Sequence, residues 1–346
     1  MTTKVTIIGD NFMQASAFER ALTDCIDQPL ECTTHDLPFP DSTLVQRSDL
    51  PEMSNIKEFQ GEPDEIVRLA ESAEVLITHV AILTKEMLDR LPALKFVGVS
   101  RGGPVNVDRQ ALKERGIVVV NTPGRNASAV AEFTIGVIIA ETRNIAKGHA
   151  ALMNGIWRGD LYRADVQRKE LSKMTVGLVG YAHIGRRVGQ LLKAFRTKIV
   201  VSDPYITVDK ADTEYGIVNV ELPELLAQSD VVSLHLPATP ETDQMFNANT
   251  FAKMKRGAVL INTSRGSLVD ENALVNALTT GQLSGAALDT YQSEPLPENS
   301  PLRALPNVLL TPHIAGASTT TVDLAASMIA EELKRYLAGE SPLNPC

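Results

Sequence analysis

Cysteine, long apolar runs and basic charge are all in short supply in this 346-residue chain, and each shortage closes off a class of protein. There are three cysteines, Cys25, Cys32 and Cys346, with no C-x-x-C pair and no histidine at zinc spacing, so neither a disulfide framework nor a metal site is expected. No segment approaches the roughly 18 consecutive apolar residues of a membrane span. The opening "MTTKVTIIGD" is too short an apolar run for a secretory signal. A cytoplasmic protein with no membrane partner is expected. Acidic residues outnumber basic ones 42 to 33, a formal charge of -9, and the basic residues are scattered, which argues against a nucleic-acid partner. What remains, 44% hydrophobic and 22% charged, is an ordinary globular composition over a length sufficient for two domains.

Short β-branched runs alternate with helical patterns nearly throughout, the signature of parallel sheets wrapped by helices. Four strands are expected first, at 4–9, 74–79, 95–100 and 117–121, with helices near 14–24, 64–72, 84–91 and 108–115. The stretch 36–62, with three prolines and no clean period, reads as a long surface loop. A long helix is expected over 126–155; being apolar on more than one side, it should be buried between domains or subunits. Six further strands follow at 174–180, 198–203, 230–235, 258–263, 285–289 and 307–313, the count of a doubly wound dinucleotide domain. A last helix, 321–339, sets Val322, Ala325, Ile329, Leu333 and Tyr336 on one face and is expected to pack back on the first domain. The expected fold is α/β with two doubly wound domains: a substrate domain formed by 1–122 and 315–346, and a dinucleotide domain, 123–314, inserted within it.

Inside the second domain, "GLVGYAHIGRRVG" follows a strand and opens a helix, the setting of a G-x-G-x-x-G dinucleotide loop, except that Ala182 stands at the middle glycine. Gly180 would make the tight turn and Gly185 would let helix and strand pack closely. Asp203, 18 residues beyond Gly185 at the end of the next strand, can bind both ribose hydroxyls of NAD and repel the extra phosphate of NADP. The plain alternative is a glycine-rich turn with no ligand, but loop and acid together are more specific than either alone. A triphosphate loop is disfavoured, since Arg186 and Arg187 stand where Lys and Ser or Thr are needed.

Three strands of this domain end in residues suited to acid–base chemistry on a small anion: Arg265, Glu294 and His313. A histidine moves a proton near neutral pH, a carboxylate on its other nitrogen fixes the tautomer, and an arginine fork holds a carboxylate and polarises a carbonyl. Each residue alone has an ordinary structural reading. Their joint placement behind a dinucleotide loop favours reduction of a 2-oxo acid, with hydride from NADH.

With "NTPGRNASAVAEF", "VGLVGYAHIG", "VVSLHLPATPET", "LINTSRGSLVDENAL", "ALDTYQSEP" and "TPHIAG" in this order, the chain resembles the D-isomer-specific 2-hydroxyacid dehydrogenases, which include phosphoglycerate, glycerate and D-lactate dehydrogenases. The resemblance runs from about residue 74 to the end. It implies Arg265, Glu294 and His313 as the catalytic residues. The implied NAD contacts are His183 and Ile184, Asp203, Leu236 and Pro237, Thr242, Thr263 and Ser264, and Asp289 near the nicotinamide amide. It implies too that backbone amides around Arg101, Gly102 and Gly103 meet the substrate acid, and that the protein is a homodimer through 126–155, with 155–163 as part of the subunit arm. His79 stands where phosphoglycerate dehydrogenases tend to carry Arg, and Arg101 is a candidate for a second anionic group, so phosphoglycerate, glycerate or hydroxypyruvate, and other sugar acids stay open. The alternative from another class is an NAD(H)-sensing module with little turnover. Loss of a catalytic residue would mark it, and none is lost.

Overall fold

The computed structural model describes residues 2–39, 44 and 56–346, and these divide into two compact units, Met1–Asn126 with Ala317–Cys346, and Ala127–Gly316. In the first unit the elements run β1 (Thr3–Asp10), α1 (Ala15–Cys25), β2 (Leu30–Leu37), α2 (Pro63–Ala70), β3 (Val75–Thr78), α3 (Lys85–Leu88), β4 (Phe96–Val99), α4 (Arg109–Glu114) and β5 (Val118–Asn121). All five strands are parallel, in the order β2-β1-β3-β4-β5. Central strands such as "VLIT" and "FVGV" are buried along their whole length because helices cover both faces. On one face Ile66, Leu88 and Leu112 pack against Leu76 and Val97; on the other Phe18 and Leu22 meet Ile7, Phe96 and, from the C-terminal helix Thr319–Leu337, Ala325, Ile329 and Leu333. That helix therefore belongs to the first unit, as its apolar face suggests.

Two expectations for this unit need correction. A fifth strand, β2, was not expected, because "LECTTHDL" sits at the sheet edge with most of its side chains in contact with water and lacks an apolar run. The supposed surface loop 36–62 is core at its far end: Ile56 and Phe59 are buried in the hydrophobic cluster, and Gln60 bridges to Ala81. Residues 40–43 and 45–55 of that stretch lie outside the described residues.

The second unit starts with α5 (Ala127–Thr142) and α6 (Ile145–Met153). The single long helix expected here is broken at Asn144, which takes the left-handed conformation (φ 56°) that asparagine tolerates better than most side chains. α5 is buried in the core of its own unit through Ala131, Ile135 and Ile138, whereas α6 has no buried residue. Then come β6 (Thr175–Val179), α7 (His183–Ala194), β7 (Lys198–Ser202), α8 (Lys210–Tyr215), β8 (Val218–Asn219), α9 (Leu222–Gln228), β9 (Val231–Leu234), α10 (Ala248–Lys253), β10 (Ala258–Asn262), α11 (Glu271–Thr279), β11 (Leu283–Leu288) and β12 (Val308–Leu310). The sheet is parallel, in the order β12-β11-β10-β9-β6-β7-β8, so the dinucleotide pattern holds with one short extra edge strand, β8. Among the described residues no helix is long and apolar enough to cross a membrane.

Candidate active site

Both sheets reverse their strand order once, at β1/β3 in the first unit and at β6/β9 in the second, and ligands of such sheets lie beyond the carboxyl ends near that reversal. The fingerprint loop leaves β6 at this point in the second unit. Gly180 has φ +90°, and a side chain there would come within 2.6 Å of the His235 carbonyl oxygen; one at Gly185 would come within 2.2 Å of the Gly180 carbonyl oxygen. Only glycine fits either place. Ala182 differs: its φ is -85°, ordinary for an L-residue, and its side chain is exposed. It caps α7, whose first-turn amides, His183 and Ile184 among them, have no intrahelical acceptor and form a natural anion site.

Asp203 is buried just past β7, with one carboxylate oxygen 2.8 Å from the Tyr181 amide and the other 3.0 Å from the Tyr205 amide. The acid is thereby tied to the fingerprint loop. Tyr181, which the sequence reading passed over, anchors that loop from below: its ring is fully buried and its hydroxyl donates to Asp212 Oδ2 at 2.9 Å. Lys193 holds the other Asp212 oxygen at 2.5 Å. Leu236 and Pro237 follow β9, and Thr242 Oγ1 donates to the Pro237 carbonyl at 2.8 Å, closing that turn. Thr263 and Ser264 are buried after β10, their hydroxyls bonded to Thr134 Oγ1 at 2.9 Å and to the Leu234 carbonyl at 2.6 Å.

On the adjacent strands β10, β11 and β12 the three catalytic candidates follow in turn. Arg265 is exposed, with Nη1 donating to the Ser264 carbonyl at 2.7 Å. Gly266 packs directly on the Tyr291–Gln292 backbone, where a side chain would fall 1.8 Å from Tyr291 C, so the end of β10 touches the turn that carries Glu294. Glu294 Oε1 accepts from the Tyr291 amide at 3.0 Å, and Oε2 lies 2.8 Å from His313 Nδ1. Burial alone would lower the His313 pKa, but the hydrogen bond to Glu294 and its charge outweigh it, and the net direction is upward. His313 itself sits at φ 53°, a conformation that needs outside support. Asp289, implied as a nicotinamide contact, supplies that support: its buried carboxylate accepts from Thr311 Oγ1 at 2.6 Å and from the Ile314 and Ala315 amides at 2.9 Å each.

The loop is therefore built as a dinucleotide cradle and fits NAD: two glycines that the tight turn from β6 into α7 requires, an open helix N-terminus, and a carboxylate fixed beside them. A family model for the D-isomer specific 2-hydroxyacid dehydrogenase NAD binding domain matches residues 135–315. The chain belongs to the D-isomer-specific 2-hydroxyacid dehydrogenases. YoaD of Bacillus subtilis (strain 168), named as a 2-hydroxyacid dehydrogenase, is 41% identical over 287 residues, 81% of this chain and 82% of that one. The D-3-phosphoglycerate dehydrogenase of Methanocaldococcus jannaschii is 36% identical over 81% of this chain, which spans 53% of that relative's length. The crystal structure of the TT0316 protein from Thermus thermophilus aligns with a TM-score of 0.78 at 34% identity, covering 99% of both chains. The enzyme is thus an NAD-dependent oxidoreductase of this family.

At the carboxyl edge of the first unit the enzyme carries a second cluster. Asp10, ending β1, accepts from the Phe12 and Met13 amides at 2.8 Å each through Oδ1, and its Oδ2 lies 2.6 Å from His79 Nδ1. Phe12 meets the His79 ring edge-on and Phe39 stacks on it, with centroids 5.8 and 6.4 Å away. Burial, reinforced by the charges of Arg125 and Arg101, exceeds the pull of Asp10 and lowers the His79 pKa. Arg101, the candidate for a second anion, is already engaged: its guanidinium bonds the Glu58 carboxylate and the Glu58 carbonyl. The Gly102 and Gly103 amides donate to no acceptor among the described residues, and both glycines are exposed. Arg125, four residues past β5, went unnoticed in the sequence: its Nε is buried and without a partner among the described residues.

Proposed function

We propose that the enzyme interconverts a D-2-hydroxy acid and its 2-oxo acid, with Arg265, Glu294 and His313 as its catalytic residues. The observation that carries this reading is the 2.8 Å bond between Glu294 and His313, on the same sheet edge as Arg265 and the fingerprint loop. Bound NAD would supply the hydride acceptor for oxidation of the hydroxyl-bearing carbon, and NADH the hydride donor for the reverse reduction. Because His313 Nδ1 is engaged with Glu294, Nε2 holds the proton that goes to the carbonyl oxygen in reduction and receives it from the hydroxyl in oxidation. The raised pKa favours the imidazolium, the form that can give up the proton. Arg265 offers its remaining guanidinium donors to the substrate carboxylate and carbonyl oxygen. Asp289 acts through His313 as a positioning residue, since it fixes the segment on both sides of the imidazole.

Gly180, Ala182, His183, Ile184 and Gly185 hold the pyrophosphate, Asp203 takes the adenosine ribose, and Leu236, Pro237, Thr242, Thr263 and Ser264 border the rest of the cofactor. The buried carboxylate of Asp203 disfavours a 2′-phosphate, so NAD is preferred over NADP. The first unit takes the substrate, with its acid at the free amides of Gly102 and Gly103 beside Arg101, and His79 toward the rest of the molecule. On this reading the chain divides by function at the expected bounds, 1–122 with 315–346 and 123–314. The exposed Ile145, Leu152, Met153 and Ile156, with Trp157 84% and Tyr162 87% exposed, form the contact of a cytoplasmic homodimer. Light scattering that reports a monomer overturns this last point.

The deciding assay is NADH oxidation, repeated with NADPH, against 2-oxo acids that include glyoxylate, hydroxypyruvate and phosphohydroxypyruvate. Turnover with at least one acid and preference for NADH are expected. Tight NADH binding with no turnover on any acid selects the sensing module instead.

A further inference from the structure

The cluster at the β1/β3 reversal has a hydrogen-bonding character that narrows the substrate, on the reading that the first unit binds it. Asp10 is a carboxylate and can only accept, so His79 Nδ1 carries the proton of their 2.6 Å bond. Neutral His79 then has a bare lone pair on Nε2, which bonds no other described residue. Arg125, whose charge acts on His79, is the opposite case: a half-buried residue whose buried Nε has no hydrogen-bond acceptor among the described residues. A group that satisfies both must donate to His79 and accept from Arg125. A hydroxyl does both. A phosphate or second carboxylate would suit Arg125 but set its oxygens against the His79 lone pair, with the Asp10 charge behind it. A methyl group would leave both partners unsatisfied.

The charges agree. Arg101 is bonded to the Glu58 carboxylate, and the Asp10 charge acts on Arg125 as well as on His79, so among the described residues no pair of unopposed cations awaits a dianionic phosphate. Arg101 is tethered away from service as a phosphate clamp. Phe12 and Phe39 flank the imidazole and hold it in place.

We propose that His79 and Arg125 form a subsite of the first unit that reads an uncharged hydroxyl of the substrate, which makes the substrate a hydroxylated sugar-type acid rather than a phosphorylated or an apolar one. Asp10 is the positioning residue that fixes the His79 tautomer.

The test compares kcat/KM for hydroxypyruvate, pyruvate and phosphohydroxypyruvate with NADH in the wild-type protein, His79→Phe and Arg125→Met. Wild type is expected to favour hydroxypyruvate over pyruvate by about 100-fold or more, since a site built around a hydroxyl rejects the analogue lacking it, and to favour it over phosphohydroxypyruvate. Each substitution should reduce the hydroxyl preference to below about tenfold. NADH binding followed by fluorescence confirms that each variant is folded; should His79→Phe fail this check, His79→Asn replaces it. Better turnover of phosphohydroxypyruvate or pyruvate by wild type, or an unchanged preference in folded variants, overturns the subsite and leaves the dehydrogenase reading standing. No turnover of any 2-oxo acid fells that reading, and the subsite with it.

Discussion

The two sheets each carry a carboxylate–histidine pair at the carboxyl edge, and the two pairs differ in almost everything except the bond itself. Nδ1 lies 2.6 Å from Asp10 in one and 2.8 Å from Glu294 in the other. In the first unit the histidine and acid side chains are 7% and 0% exposed; in the second they are 40% and 18% exposed. Burial is the largest influence on both histidines and lowers both. At His313 the Glu294 bond and charge overcome it, whereas at His79 two arginines add to it. A carboxylate beside a histidine therefore does not by itself set the proton affinity: the surroundings leave the His313 pKa raised and the His79 pKa lowered.

The sharpest way to break this contrast is to remove each histidine. His313→Ala is expected to lower kcat for 2-oxo acid reduction by about 10³ to 10⁴-fold while NADH still binds. A loss below tenfold, read by steady-state kinetics with a parallel binding titration, would end the acid–base assignment. Removal of the acids should reverse the ranking. Asp10→Ala strands the Phe12 and Met13 amides and His79 Nδ1 in a buried place, at a cost of about 3 kcal/mol in stability. Glu294→Ala, at a more open site, should cost about 1 kcal/mol and act mainly on turnover. Urea unfolding midpoints decide it, and equal losses would show that burial does not distinguish the pairs.

How far these features could be read from the sequence follows from their chemistry. The placement of Arg265, Glu294, His313 and the fingerprint loop along one sheet edge was legible because each follows an apolar strand, and in a parallel sheet strand ends converge on one edge. The Asp10–His79 pair was not, because its members lie 69 positions apart and pair only through the adjacency of β1 and β3. Arg125 stood in the sequence only as one letter of "NTPGRNASAVAEF"; its unsatisfied Nε exists only in three dimensions. Tyr181 appeared as the variable position of a glycine loop, although burial against Gly189 makes it the loop's anchor. The strands missed, β2 and β8, are edge strands whose exposed side chains carry no apolar pattern, and the break at Asn144 leaves the helical periodicity on either side intact.

A gentler probe of the same contrast is titration of the two imidazoles by NMR. His313 should titrate above the ordinary value of 6.5 and His79 below it. Linkage then gives opposite signs. A raised His313 pKa stabilises the folded state below 6.5, and that contribution is lost as pH rises through the folded value. A lowered His79 pKa leaves the folded state unprotonated where the unfolded chain binds a proton, so stability is lost as pH falls below 6.5. Glu294→Gln should shift the His313 midpoint, and with it the alkaline limb of the reduction profile, to lower pH and leave His79 unmoved. A midpoint that stays in place would mean that Glu294 does not set the proton affinity.

The smallest expected effect concerns backbone amides, which both edges also present, at Gly102 and Gly103 in one unit and at the start of α7 in the other. A glycine is required where φ is positive or where a side chain would strike backbone, and Gly180 meets both conditions. Ala182 meets neither: its φ of -85° suits alanine and its methyl lies exposed. Ala182→Gly should therefore change the NADH dissociation constant by less than about threefold, toward tighter binding, because only one methyl is withdrawn from the path of the pyrophosphate. It should also lower stability by roughly 0.4 to 1 kcal/mol, since glycine adds freedom to the unfolded chain. Weaker binding in a folded variant would mean that the methyl itself holds the cofactor, and the amides of this edge would then depend on a side-chain contact that those of Gly102 and Gly103 lack.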